Sequence, residues 1–147
     1  MKKILKTFAA AAAALLALSS CEKGPEKGPE SYSIEGVWEL TMGEFIVDDS
    51  VETVTPDGNM NMYMIFENGT FSQETVDLES GERYVSLEAA YTYTYPDIVL
   101  TVEGLDRTVT FTVTDITETE LNLTAAASEF EPGTPGVANY YMVRSSL

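Results

Sequence analysis

Three methionines, Met60, Met62 and Met64, stand at i, i+2 and i+4 in the run Met60-Asn61-Met62-Tyr63-Met64. Thioethers are soft ligands that suit Cu(I). Successive same-face positions on a strand are about 7 Å apart, however, so three sulfurs converge poorly, and the chain has no histidine to complete a site. The run reads better as an adaptable apolar wall, because Met fills irregular space and recurs at promiscuous binding surfaces. Tyr91, Tyr93 and Tyr95 repeat the same spacing and make an aromatic ladder. Facing a cavity, their rings could stack on a flat ligand; facing a packed core, they only fill it. Acid–base work needs two carboxylates of unequal pKa. Asp48, Asp49, Glu52, Glu79, Glu82, Glu118 and Glu120 instead fall in loops and at outward strand positions. Asp57-Gly58-Asn59 lacks the repeated oxygen spacing of a calcium loop. Cys21 is the single cysteine, so no disulfide forms within the chain, and Ser-His-Asp, Cys-His and Cys/His zinc arrangements are missing. We therefore assign no catalytic residue, metal or cofactor, and the expectation is a non-enzyme.

The elements that must position these residues begin after a leader. Lys2, Lys3 and Lys6 precede an apolar run from Phe8 to Leu18, and small residues follow. This is the plan of a secretory signal peptide, and the run is shorter than the roughly 20 residues that span a bilayer. Glu22 to Pro29 repeats Glu-Lys-Gly-Pro twice, a composition that favours an extended tether over helix or strand. The expected division is a signal peptide at 1–20, Cys21 and a tether at 21–33, and one domain at 34–147. Without residues 1–20, five basic residues face 24 acidic ones, hence a charge of −19. Such a field disfavours nucleic acid and anionic lipid as partners.

From residue 36 the hydrophobic period is two. Gly36–Met42 puts Trp38, Leu40 and Met42 on one strand face, and residues 43–59 read as a long polar connection after a strand extension at Phe45–Val47. Met60–Glu67 and Thr70–Val76 flank Asn68-Gly69, the strongest short hairpin signal. Arg83–Glu88, Ala90–Tyr95, Ile98–Val102, Arg107–Thr114, a segment around Leu121 and Leu123, and Asn139–Ser145 complete the series. Ala125–Val137 is a Pro/Gly loop with one helical turn at its start. About eight short strands joined by tight turns predict an all-β fold, a small antiparallel up-and-down barrel.

Leu18-Ser19-Ser20-Cys21 resembles the lipobox of bacterial lipoproteins. The resemblance implies lipidation of Cys21 and attachment in the cell envelope, the outer membrane being the expected site. Gly36-Val37-Trp38 resembles the Gly-X-Trp start of lipocalins and their calycin relatives, in which an arginine of the last strand packs across the tryptophan. Arg144, in Tyr140-Tyr141-Met142-Val143-Arg144, stands where that partner is expected. Phe66-Glu67-Asn68-Gly69-Thr70-Phe71 and Tyr91-Thr92-Tyr93 are similar to lipocalin-like domains of Gram-negative lipoproteins. The resemblance implies a lipocalin-like barrel that binds a small apolar or amphipathic ligand without catalysis. Its lining would come from Leu40, Met42, Met62, Met64, Phe66, Phe71, Tyr91, Tyr93, Leu100 and Phe111, with the 43–59 loop over the mouth. The alternative is a filled barrel that serves as a protein-interaction or scaffold module of the envelope, its protein partner unknown.

Overall fold

The computed structural model describes residues 28–146; the leader and Cys21 lie outside the described residues. Alternation of apolar and polar residues sets the architecture. Nine strands follow in order: β1 (Gly36–Val47), β2 (Ser50–Val54), β3 (Met60–Glu67), β4 (Thr70–Asp77), β5 (Arg83–Thr94), β6 (Asp97–Thr101), β7 (Thr108–Ile116), β8 (Glu120–Ala126) and β9 (Val137–Ser145). Every neighbour pair is antiparallel, and β1 pairs with β9 to close a barrel of eight strands, β2 being the ninth. Closure satisfies both edges of a sheet that would otherwise present unpaired backbone groups. The Asn68-Gly69 turn takes φ of 51° and 79° and joins β3 to β4 with Glu67 opposite Thr70.

Three features depart from the sequence reading. The stretch 43–59 is not a long polar connection. β1 continues to Val47, turns at Asp48-Asp49 and returns as β2, whose β-branched Val51, Thr53 and Val54 sustain a strand. β2 and β3 occupy the same side of β1: β3 pairs with residues 36–39 and β2 with residues 43–47, and residues 55–59 bridge them. Residues 83–94 form one strand, interrupted only by a register shift near Ser86. The third departure concerns Met42. Against β9, Leu40 is opposite Met142 but Met42 is opposite Tyr141, so Thr41 is an extra residue in β1. A one-residue bulge exchanges faces. Met42 therefore shares the outer face with Tyr141 and Glu44, while Trp38 and Leu40 point inward.

Inside, Trp38, Met64, Phe66, Phe71, Ile98, Leu100, Phe111, Leu121, Leu123 and Met142 are essentially fully buried in one cluster. At one end of the barrel the segment before β1 folds under the strands: Pro29–Ser31 form a 3-10 turn, Tyr32 packs against the core and Ile34 is buried. At the other end a second 3-10 turn, Ala127–Glu129, buries Ala127, and the Phe130 ring lies 5.7 Å from that of Phe111. Arg107 fixes this cover by donating to the carbonyl oxygens of Glu129 and Phe130.

Candidate functional site

At the entry end, the Trp38 indole N–H donates to the Ile34 carbonyl at 2.8 Å, which satisfies the one polar atom of a fully buried ring. The Arg144 guanidinium lies over that ring, 4.2 Å from its centroid. It also donates through Nε to Glu118 O at 2.7 Å and through Nη1 to Glu35 O at 2.8 Å. The two residues singled out as a pair are thus in contact, and the arginine ties together β9, the β7–β8 turn and the segment before β1. Gly36 adopts φ of 129°, and a Cβ there would collide with Arg144 Nη1. Glycine suits the opening of the Gly-X-Trp triplet because side chains rarely adopt this φ, and the guanidinium also fills the space a Cβ would take.

Of the ten candidate lining residues, Met64, Phe66, Phe71, Leu100 and Phe111 are fully buried and Leu40 nearly so. They meet one another: Phe66 lies 5.1 Å from Phe71 and 5.2 Å from Tyr91, and Phe71 lies 6.1 Å from Phe111. Tyr140, absent from the sequence-derived set, meets Phe111 edge-on at 5.7 Å. These tilted and T-shaped contacts are the geometry that ring quadrupoles favour in a packed core. Met62, Tyr91 and Tyr93 are half-buried against the same cluster, and Met42 is outside it. Burial pushes the phenols of Tyr91, Tyr93 and Tyr140 above their ordinary pKa, with the Glu35 carboxylate adding to the effect at Tyr91. Tyr93 Oη is buried without a hydrogen-bond partner.

Where β1 changes partner from β3 to β2, the wall opens into a cleft of about 240 Å³. Leu40, Val54, Pro56, Met60, Asn61 and Met62 contribute to its lining. Asn61 is buried there, its Nδ2 donating to Glu39 Oε1 and its Oδ1 accepting from the Met62 N–H. The cleft belongs to the far end of the barrel, opposite the entry of the chain. The same end carries the exposed large apolar residues: Val51, Val54, Met60, Leu78, Tyr84, Val85, Leu105, Phe130 and Val137 are each at least 37 % exposed. The topology accounts for the grouping, since these residues belong to β2, to the far ends of β3, β5 and β9, and to the connections after β4, β6 and β8. Sequence reasoning missed the β1–β2 hairpin. Its signal was the β-branched content of residues 51–54, masked by the flanking Asp48-Asp49 and Pro56-Asp57-Gly58.

No family model matches the chain. No curated protein matches it. Among solved structures, the chain is similar to an uncharacterized protein from Bacteroides eggerthii, with a TM-score of 0.54 and 15 % identity over 77 % of this chain and 100 % of that one. At that identity the likeness is one of fold, and the shared fold is the antiparallel barrel.

Proposed function

We propose that the chain is a non-catalytic, lipocalin-like lipoprotein of the cell envelope whose filled barrel serves as a protein-interaction module. The observation that carries this reading is the interior itself: Phe66, Phe71, Phe111, Leu100 and Met64 occupy the volume that an enclosed ligand would need, and each is completely buried. The exposed apolar residues at the far end support a surface role. Anchoring rests on the basic leader, the apolar run and the Leu18–Cys21 tetrad, and the chain enters β1 at the end opposite the apolar surface. Mass spectrometry of the envelope-extracted protein tests the anchor: an acylated Cys21 at the mature N-terminus is expected, and a free, unmodified one overturns it. Photo-crosslinking residues placed at Leu105 and Val85 in living cells test the interaction role. A discrete protein adduct absent with a probe at Glu67 is expected, and no adduct from the far end contradicts the reading.

The cleft beside Leu40, Met60 and Met62 favours a second reading, binding of a small apolar or amphipathic molecule at the rim. Native mass spectrometry of the purified protein distinguishes the two readings, since a co-purifying small molecule lost on Met62→Lys belongs to the second.

A further inference from the structure

We propose that the free edge of β2 is the docking strand of this module, and that its occupant is an extended, basic polypeptide segment added antiparallel or parallel to β2. This rests on the interaction reading above and deepens it by naming the element and the chemistry. β2 is the terminal strand of the sheet order, paired only to β1. The neighbouring strand that would cover its other side, β4, ends at Asp77 opposite Met60 and turns back, so no strand of the barrel reaches β2. The two-residue turn makes Val47 and Ser50 the closing pair of the hairpin. Alternation then directs the backbone groups of Ser50, Glu52 and Val54 toward β1 and those of Val51 and Thr53 away from it. All five residues of β2 are exposed, Val51 and Val54 by 57 % and 55 %. Of the devices that protect an edge, β2 has a short length and one charged side chain, Glu52, and it carries no lysine, proline or bulge. Strand addition uses such an edge: main-chain hydrogen bonds supply affinity and alternate side chains supply specificity.

Charge decides the occupant. Between residues 28 and 146 three arginines stand against 22 carboxylates. Each arginine is engaged: Arg144 on Trp38, Arg107 on the 127–136 cover, and Arg83 with Glu74 at 2.6 Å. Around β2 lie Glu44, Asp48, Asp49, Glu52 and Asp57 with no cationic residue among residues 36–59. A second copy of the chain would bring the same charge to the edge and is disfavoured; a segment alternating basic and apolar residues sets its basic face toward Glu52 and its apolar face toward Val51 on the opposite face of β2.

The test uses the full chain and a labelled peptide of alternating Lys and Val about eight residues long, with alternating Glu and Val as its counterpart. The Lys-Val peptide is expected to bind, to slow hydrogen exchange at the Val51 and Thr53 amides by at least about tenfold, and to leave the already bonded Ser50, Glu52 and Val54 amides unchanged. Val51→Pro removes an outward N–H without touching the β1 ladder and should weaken binding at least about tenfold. Glu52→Lys, which leaves the backbone intact, should weaken the Lys-Val peptide and admit the Glu-Val one. Absent binding, equal binding of both peptides, or binding without protection at Val51 and Thr53 overturns the proposal. A dimer that Val51→Pro converts to monomer also overturns it, in favour of self-pairing. Cellular crosslinks from Leu105 that persist in Val51→Pro would leave the interaction reading standing while removing β2 as its site.

Discussion

Thr41 decides which methionine or leucine of β1 belongs to the core. Its insertion opposite β9 leaves Leu40 inward and turns Met42 out, although strict alternation assigns both to one face. Truncating Leu40 to alanine should therefore cost about 2–4 kcal/mol, as buried aliphatic deletions do, and truncating Met42 less than about 1 kcal/mol. Urea unfolding of the two variants followed by Trp38 fluorescence checks this, and equal losses would contradict the bulge. Arg144 has a different kind of weight, because it is exposed yet covers a fully buried tryptophan and holds two carbonyl groups at distances of 2.7 and 2.8 Å. Arg144→Ala should lose about 2 kcal/mol, from the cation–π contact and the abandoned carbonyls together. Arg144→Lys should restore part of the stacking but not both hydrogen bonds. Gly36→Ala should cost a comparable amount, about 1–3 kcal/mol, because it both strains a φ of 129° and displaces Arg144. If Gly36→Ala in an Arg144→Ala background costs as much as it does alone, the collision with the guanidinium is not the reason for glycine.

At the scale of elements, the strands that the sequence displays most plainly are those whose period is uninterrupted. Met60–Glu67 coincides with β3, and the Asn68-Gly69 turn joins it to β4 in the expected register. Irregular positions were illegible for identifiable reasons. The Thr41 bulge and the shift near Ser86 are set by how two strands meet, which no single strand encodes. The β1–β2 hairpin was hidden because Asp48 takes a left-handed φ of 53°, a conformation that sequence more readily suggests at Asn-Gly. Among the candidate lining residues, spacing identified inward faces well at Leu40, Phe66, Phe71, Leu100 and Phe111; whether those faces enclose a space depends on how rings from five strands meet. The 127–136 cover shows the same dependence. Arg107 reaches it across 22 residues of sequence, and Thr110 N–H donates to Glu129 Oε2 at 3.3 Å. Arg107→Ala should free this segment selectively, so that limited proteolysis cuts after residue 129 while the Trp38 emission and the rest of the exchange-protected amides are unchanged.

For the whole molecule, an excess of 19 negative charges over residues 28–146 makes the folded state repel itself. Raising NaCl from low to physiological concentration should therefore raise Tm, most steeply while the screening length is long; a Tm independent of salt would contradict this. Alkali acts through the buried phenols. Burial raises the folded-state pKa of Tyr93 and Tyr140 above 10.0, so their contribution to stability is complete below that value and is lost as pH rises through the higher folded values. Unfolding should accordingly begin above about pH 10, seen as loss of Trp38 burial in its emission, and replacing Tyr140 by Phe should move that onset to higher pH. The seam between β1 and β9 carries a further consequence, one of order in time. It joins residues as far apart along the chain as Val37 and Ser145. Pairings of that span make folding slow, because the loop must close before the contacts reward it. A chain whose β9 has yet to be made, or one lacking that strand, leaves β1 and β8 as two open edges with Trp38 uncovered. The barrel is completed by its final strand, and until Arg144 arrives the protein is a sheet exposed to whatever strands surround it.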